Sequence, residues 1–201
     1  YMDNPFGVTR DIQDLFFKTG NNMTSYVGVS TRSAKTNAFI SFENNKQTGI
    51  IPDTDGFQRQ NIRLNIDHNI TDWLKVSATN LVVNTTSQYP GSGGGIFFDL
   101  VLAEPDNDLY LPNPDGQPYF IRHNQWSNET NPLYDTYKRE RSDHSRRFIG
   151  NYRANVSIMP GVEFEASYSN ETEDYRSTNY QPFDTWILGT SGPGANAFGT
   201  A

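Results

Sequence analysis

Between residues 57 and 83 the chain alternates apolar and polar side chains one at a time, turns, and alternates back. Ile62, Leu64, Ile66 and Ile70 share one phase, and Arg59, Asn61, Arg63, Asn65 and Asp67 the other. After Thr71-Asp72-Trp73 the pattern resumes, with Leu74, Val76 and Ala78 against Lys75, Ser77 and Thr79. Successive strand side chains leave opposite faces, so this period predicts a long antiparallel hairpin with one apolar and one wet side. A second hairpin repeats it. Tyr152, Ala154, Val156 and Ile158 alternate with polar residues, as do Val162, Phe164, Ala166 and Tyr168 beyond Met159-Pro160-Gly161. A turn centred on Pro160 pairs Ile158 with Val162, Val156 with Phe164, Ala154 with Ala166 and Tyr152 with Tyr168. It also sets Arg153 diagonal to Glu165.

Two further strands read over 23–31 and 36–45, and helical segments over 10–18, closed by Thr19-Gly20, and over 96–103. The connections alternate in length: short at 32–35, 71–73 and 159–161, longer at 46–56, 86–145 and from 179 onward. Short turns therefore fall at one end of the strands and long loops at the other, as in outer-membrane barrels. The in-phase runs cover about 9–14 residues, against about 9–11 needed to span a bilayer and about 5–6 in soluble strands. The expected fold is all-β: an antiparallel up-and-down meander forming part of a large transmembrane barrel. A secreted soluble β-sandwich that binds carbohydrate is the alternative, because it alternates in the same way.

Composition agrees with a barrel and excludes several other classes. A hydrophobic fraction of 35% leaves no run of about 18 apolar residues for a membrane helix. A barrel strand needs only every second residue apolar. The net charge of -7 is spread along the chain and argues against nucleic acid, which wants clustered Lys and Arg. With no cysteine, disulfides and thiolate metal sites are excluded. The start, Tyr1-Met2-Asp3-Asn4-Pro5, lacks a basic stretch before an apolar segment, and no closing strand ends the chain, so both ends read as cut.

Several stretches resemble one family. They are the run Asp11 to Gly20, Tyr26-Val27-Gly28-Val29-Ser30, Lys35-Thr36-Asn37-Ala38-Phe39, Gln47-Thr48-Gly49-Ile50-Ile51-Pro52, Phe57-Gln58-Arg59-Gln60-Asn61-Ile62 and Thr71-Asp72-Trp73-Leu74-Lys75-Val76. Asn131-Pro132-Leu133 and Arg147-Phe148-Ile149-Gly150-Asn151 look like the segment entering the next strand. In this order they resemble the early barrel region of SusC/RagA-type TonB-linked outer-membrane proteins of Bacteroidota. The resemblance covers roughly residues 10–175, each motif being short and only the ordered set specific. It implies a share of a barrel of about 22 strands, without its plug. It also implies residence in the outer membrane and import of glycan or peptide fragments with a SusD-like lipoprotein, driven through TonB. On that frame 1–21 is an extracellular loop with a short helix, and 22–85 holds strands one to four. An extracellular loop follows over 86–145, then strands five and six over 146–178, and another loop over 179–201.

No constellation for catalysis stands out. Glu163 and Glu165 share a strand face about 6–7 Å apart, a spacing known from glycosidases, but solvated lumen carboxylates are the plainer reading. Asp143-His144-Ser145 has triad residue types without triad geometry. His68 and His123 suggest no metal, and His68 is expected near an interface. Asp53-Thr54-Asp55-Gly56 and Asp106-Asn107-Asp108 lack the closing Glu of a calcium loop. Gly91-Ser92-Gly93-Gly94-Gly95 lacks the Lys of a phosphate loop. No catalytic, cofactor or metal residue is expected. Trp73 belongs in an interfacial girdle. The expected contacts with substrate or partner are Tyr110, Tyr119 and Trp126, beside Phe120, whose rings offer stacking faces in the long loop.

Overall fold

The structure, a computed structural model, describes residues 7–90, 95–114, 116–121, 131–183 and 185. Six strands form one antiparallel sheet in sequence order: β1 (Asn22–Arg32), β2 (Thr36–Gln47), β3 (Phe57–Asn69), β4 (Leu74–Pro90), β5 (Glu140–Met159) and β6 (Val162–Tyr180). The expected up-and-down order holds, and β1 and β6 are the edges of the sheet as described. Three helices lie outside it: α1 (Ile12–Phe16), α2 (Gly95–Leu102) and α3 (Pro132–Lys138). No helix among the described residues is long and apolar enough to cross a membrane, which says nothing about strands.

Registration sorts the side chains onto two faces. Val27, Phe42, Ile62, Val82 and Phe148 line up across β1 to β5, and Ala78, Tyr152 and Tyr168 form a row nearer the short turns. From the Phe148 row down to Phe164, no Asp, Glu, Lys or Arg of the six strands stands on this face. Arg63, Asp67, Lys75, Arg153, Glu163, Glu165 and Glu171 all occupy the other. Nothing among the described residues covers the apolar face: Val29 is 62% exposed and Phe164 56%. A soluble sandwich requires a second layer there. Among the described residues no such layer is present.

The second hairpin departs from its expected turn by one residue. Val156, Ala154 and Tyr152 pair with Phe164, Ala166 and Tyr168, but Met159, not Ile158, faces Val162. A bulge between Ser157 and Met159 absorbs Ile158, and a two-residue Pro160-Gly161 turn closes the hairpin with Gly161 at φ 85. That φ suits glycine, which has no Cβ to clash.

Three more boundaries differ from expectation, each for a physical reason. β4 runs to Pro90 and β5 begins at Glu140, so the connection expected over 86–145 narrows to 91–139. Both faces of those strand ends are polar, Arg141, Asp143 and Ser145 against Ser142, His144 and Arg146, so no apolar period marks them. α3 lies where the chain was expected simply to lead into the next strand. Asn131 caps it, accepting from the Leu133 amide at 3.0 Å, and Pro132 supplies a first helical residue that needs no N–H donor. α1 is shorter than the expected 10–18. Asp11 caps it, but Phe17 turns extended and stacks on Phe97 at 6.1 Å, while the Lys18 amide donates to Ile50 O at 2.9 Å.

The hydrophobic core sits beside the sheet, in a cap at its long-connection end. Ile12 and Phe16 of α1, Ile96 and Leu100 of α2, Leu109, and Leu133 of α3 pack together. Arg10 binds the opening segment to the long connection through Asp106 O at 2.6 Å and Asp108 Oδ2 at 3.5 Å.

Candidate functional site

Two polar surfaces could meet a ligand: the charged face of the sheet and an aromatic cluster in the cap. On the sheet, charges from neighbouring strands answer one another. Arg153 Nε lies 3.4 Å from Glu165 Oε1, on the expected diagonal, and Arg147 Nε donates to Glu171 Oε1 at 2.8 Å. Ser145 Oγ donates to Glu173 at 2.7 Å, and Glu43 takes Asn61 Nδ2 at 3.0 Å and Arg59 at 3.5 Å. This is a hydrophilic wall with its charges balanced locally. Glu165 is thus engaged by Arg153, and Glu163 faces Ser157 across the strands, an arrangement with no acid/base partner between them.

In the cap, Tyr119 is the middle of three tyrosines. Its ring meets Tyr110 edge-on at 6.3 Å and Tyr137 at 5.9 Å. Its hydroxyl donates to Asp53 Oδ2 at 2.8 Å, tying the long connection to the 48–56 connection. Burial first, then this hydrogen bond and the charge of Asp53, push the Tyr119 phenol well above its ordinary pKa. Asp53 holds the left-handed backbone, φ 55, a conformation that Asp tolerates better than most residues. The Tyr110 hydroxyl donates to Leu15 O at 3.0 Å, which leaves the Tyr110 ring 51% exposed, and Tyr137 is 45% exposed with Lys138 Nζ 5.9 Å from its ring centre. Two open tyrosine faces therefore flank a third that is locked.

The structure brings together Tyr110 and Tyr119 of the three expected contacts; Trp126 lies outside the described residues, as does His123. Phe120 joins through its backbone, its amide donating to Leu111 O at 2.6 Å. Sequence reasoning missed Tyr137 and Asp53. The Asn131-Pro132 helix start was the available signal for Tyr137, since it places that ring one turn and a half along α3. Nothing local in the sequence marks Asp53 as a partner 66 positions from Tyr119. The three residues of Asp143-His144-Ser145 cannot converge: Asp143 and Ser145 share the charged face, while His144 points to the other and meets Thr86 at 3.2 Å. His68 meets the Thr36 hydroxyl at 2.8 Å. Among the described residues no group of three or more His, Asp or Glu is arranged to hold a metal.

No protein-family model and no curated protein matches the chain. Solved structures do. The RagAB peptide importer in its closed-closed state matches with a TM-score of 0.69 at 21% identity, covering 96% of this chain and 22% of that one. In the open-open state the values are 0.72 and 20%, with 94% and 21% covered. A further structure of the RagAB peptide transporter gives 0.66 and 21%, with 86% and 20% covered. The fold is shared. The chain spans about a fifth of the length of those it matches.

Proposed function

We propose that this chain forms part of the wall and outer cap of a TonB-dependent outer-membrane transporter that imports nutrient oligomers, glycan or peptide fragments, with a SusD-like lipoprotein. The observation that carries the reading is the uncovered band from the Phe148 row down to Phe164, which holds no Asp, Glu, Lys or Arg and is backed by a wall of balanced ion pairs. Water on both sides would leave that face without a reason; lipid on one side and a wet lumen on the other supplies it.

The slant of the apolar band supports the same reading. On β1 it centres on Val27 and Val29, and on β6 on Phe164, Ala166 and Tyr168. Following the pairings across, the band slips about five residues in five strand steps. One residue per strand, at about 3.4 Å rise and 4.8 Å spacing, corresponds to a tilt of about 35°. Membrane barrels tilt their strands by 35–45°. The cap then lies outside the cell, with Tyr110, Tyr119 and Tyr137, and Trp126 of the same connection, as contacts for substrate or lipoprotein. Trp73, 55% exposed at a short turn, takes the opposite interface. Energy from TonB enters through other parts of such a transporter, by the resemblance of the motifs.

The test is Ile66→Arg in the full-length protein. An arginine at mid-depth on a lipid face costs about 2–4 kcal/mol, so heat-modifiable barrel in the outer-membrane fraction should be lost. Arg63→Ile, on the charged face next to it, should leave assembly intact. Normal assembly of Ile66→Arg would refute the reading.

A further inference from the structure

The two faces of the sheet treat their cations differently. On the charged face Arg59, Arg147 and Arg153 find carboxylates on neighbouring strands. Within the apolar band of the other face, polar groups also answer one another. The Tyr152 hydroxyl donates to Asn80 Oδ1 at 2.8 Å, and His68 meets the Thr36 hydroxyl. Beyond the Phe148 row, towards the cap, that rule stops. Lys46 of β2, Arg146 of β5 and Arg176 of β6 stand exposed on this face, and none makes an ion pair among the described residues. Lys46 has Met23 and Gln58 beside it in register, and Arg176 has His144. Asp174, across from Arg146, is the carboxylate nearest to them on this face; Glu140 pairs with Tyr180, four residues beyond Arg176.

The slant of the band sets their depth. Slipping one residue per strand, its centre falls at Ile40 on β2, between Leu64 and Ile66 on β3, at Ala78 on β4 and between Tyr152 and Ala154 on β5. At a tilt of about 35° each residue rises about 2.8 Å along the membrane normal. Lys46, Asn84 and Arg146 then stand about 17–20 Å from mid-membrane, and Gln60 of β3 about 14 Å. That is the headgroup zone, outside an apolar band about 25 Å tall and inside a total thickness of about 40–45 Å. His144 and Arg176 stand about 25–28 Å out, past the reach of a phospholipid headgroup.

We propose that this belt is a binding site for a phosphorylated glycolipid of the outer leaflet. The proposal rests on the membrane reading above. Lys46 and Arg146 lie about 16 Å apart across three strand steps, a span that suits linked sugar rings with an acidic group towards each end. Ammonium and guanidinium groups hold phosphate through charge-assisted hydrogen bonds, and their long stems lean along the strand to meet it. Gln60 and Asn84 stand between the two cations, and neither makes a side-chain hydrogen bond among the described residues. Their amides both donate and accept, as sugar hydroxyls require. Arg176 meets an acidic sugar further out. A phospholipid offers neither the hydroxyls to engage both amides nor the depth to reach Arg176.

The experiment uses the full-length protein in phosphatidylcholine nanodiscs containing a minor share of deep-rough lipopolysaccharide, of lipid A or of phosphatidylglycerol, read by native mass spectrometry. Wild type should retain deep-rough lipopolysaccharide about tenfold above its share of the bilayer, and phosphatidylglycerol no more than its share. Lys46→Ala with Arg146→Ala should bring both glycolipids down to their share. Arg176→Ala should weaken retention of lipopolysaccharide but not of lipid A, which lacks the outer sugars. Arg63→Ile, a charge lost from the opposite face, should change nothing. Equal retention of phosphatidylglycerol, retention unchanged in the Lys46/Arg146 double variant, or displacement of the glycolipid by inorganic phosphate would each overturn the site. So would loss, in the double variant, of an acidic protein that copurifies with wild type while glycolipid retention stays the same. Failure of wild type to enter the bilayer at all is read separately, by heat modifiability, and would instead refute the membrane reading.

Discussion

The cap and the sheet dispose of their apolar side chains in opposite ways. Phe16, Ile96, Leu109, Leu133 and Tyr134, the largest fully buried apolar side chains among the described residues, all belong to the cap. Ile40, Val29 and Phe164, on the sheet, are half exposed or more, and Ile62 nearly so. Water alone drives the cap together, since its hydrophobic groups are removed from solvent by one another. The sheet is held by its backbone ladder and by registered polar pairs, such as Asn45 Nδ2 to Thr24 Oγ1 at 2.7 Å and Gln58 Nε2 to Asn44 Oδ1 at 2.8 Å. Its apolar side gains nothing until another phase covers it. Cap and sheet are thus stable for different reasons and should respond differently to the same kind of change.

Truncating a phenylalanine in each region is the sharpest way to break that comparison. Phe16→Ala should cost about 3–5 kcal/mol by the lost burial and the cavity left behind. Hydrogen exchange of the full-length protein should show α1, α2 and α3 opening while the strand amides stay protected. Phe164→Ala should leave the cap amides unchanged. If Phe16→Ala loosened the strands as much as the cap, the two regions would be one cooperative unit and the distinction would fail.

What could be read from the sequence divides along the same line. Period two exposed the lower sheet because Ile62, Leu64 and Ile66 alternate cleanly with charged and amide residues. It revealed nothing above Phe148, where polar side chains occupy both faces of β5 and only backbone pairing distinguishes strand from loop. In the cap the segments are too short for periodicity. α1 has five residues and α3 seven, and their positions are set by contacts distant in sequence, such as Arg10 to Asp106 and Tyr119 to Asp53, 96 and 66 positions apart. Tyr110 and Tyr119 were legible as aromatics in a long connection; that Tyr119 is locked, and that Tyr137 completes the cluster, required the fold.

A steric change inside the sheet sharpens the comparison further. At Gly150 an added Cβ would meet the Tyr152 hydroxyl at 3.0 Å and the Phe148 ring at 3.1 Å. Gly150→Val must displace Tyr152 from Asn80, and overpacking of this kind costs about 1–3 kcal/mol. The midpoint of heat modifiability should fall, with cap exchange unchanged. A fall of equal size in cap protection would mean that strain in the sheet reaches the cap.

Asn131→Ala should cost about 1–2 kcal/mol in the cap alone. The side chain is 3% exposed, accepts from the Leu133 amide and donates from Nδ2 to Leu109 O at 2.8 Å, so its loss uncaps α3 and strands a buried carbonyl. Faster exchange at Leu133 and Tyr134 with strand protection intact is the expected result.

The smallest effect belongs to Tyr119→Phe, which removes the hydroxyl bound to Asp53. Solvent reaches this bond, so about 0.5 kcal/mol is expected. Its pH dependence carries the information. The phenol is raised above its unfolded value near 10, chiefly by burial and then by Asp53, so folding favours the neutral form. The stabilisation is therefore complete below the unfolded pKa and is lost as the pH climbs from there towards the raised folded value. Exchange in the 48–56 connection should accelerate over that alkaline range in wild type, whereas Tyr119→Phe should start faster and change little. A wild type insensitive to that pH range would show that Asp53 does not hold the two connections together. The cap would then rest on its apolar core alone.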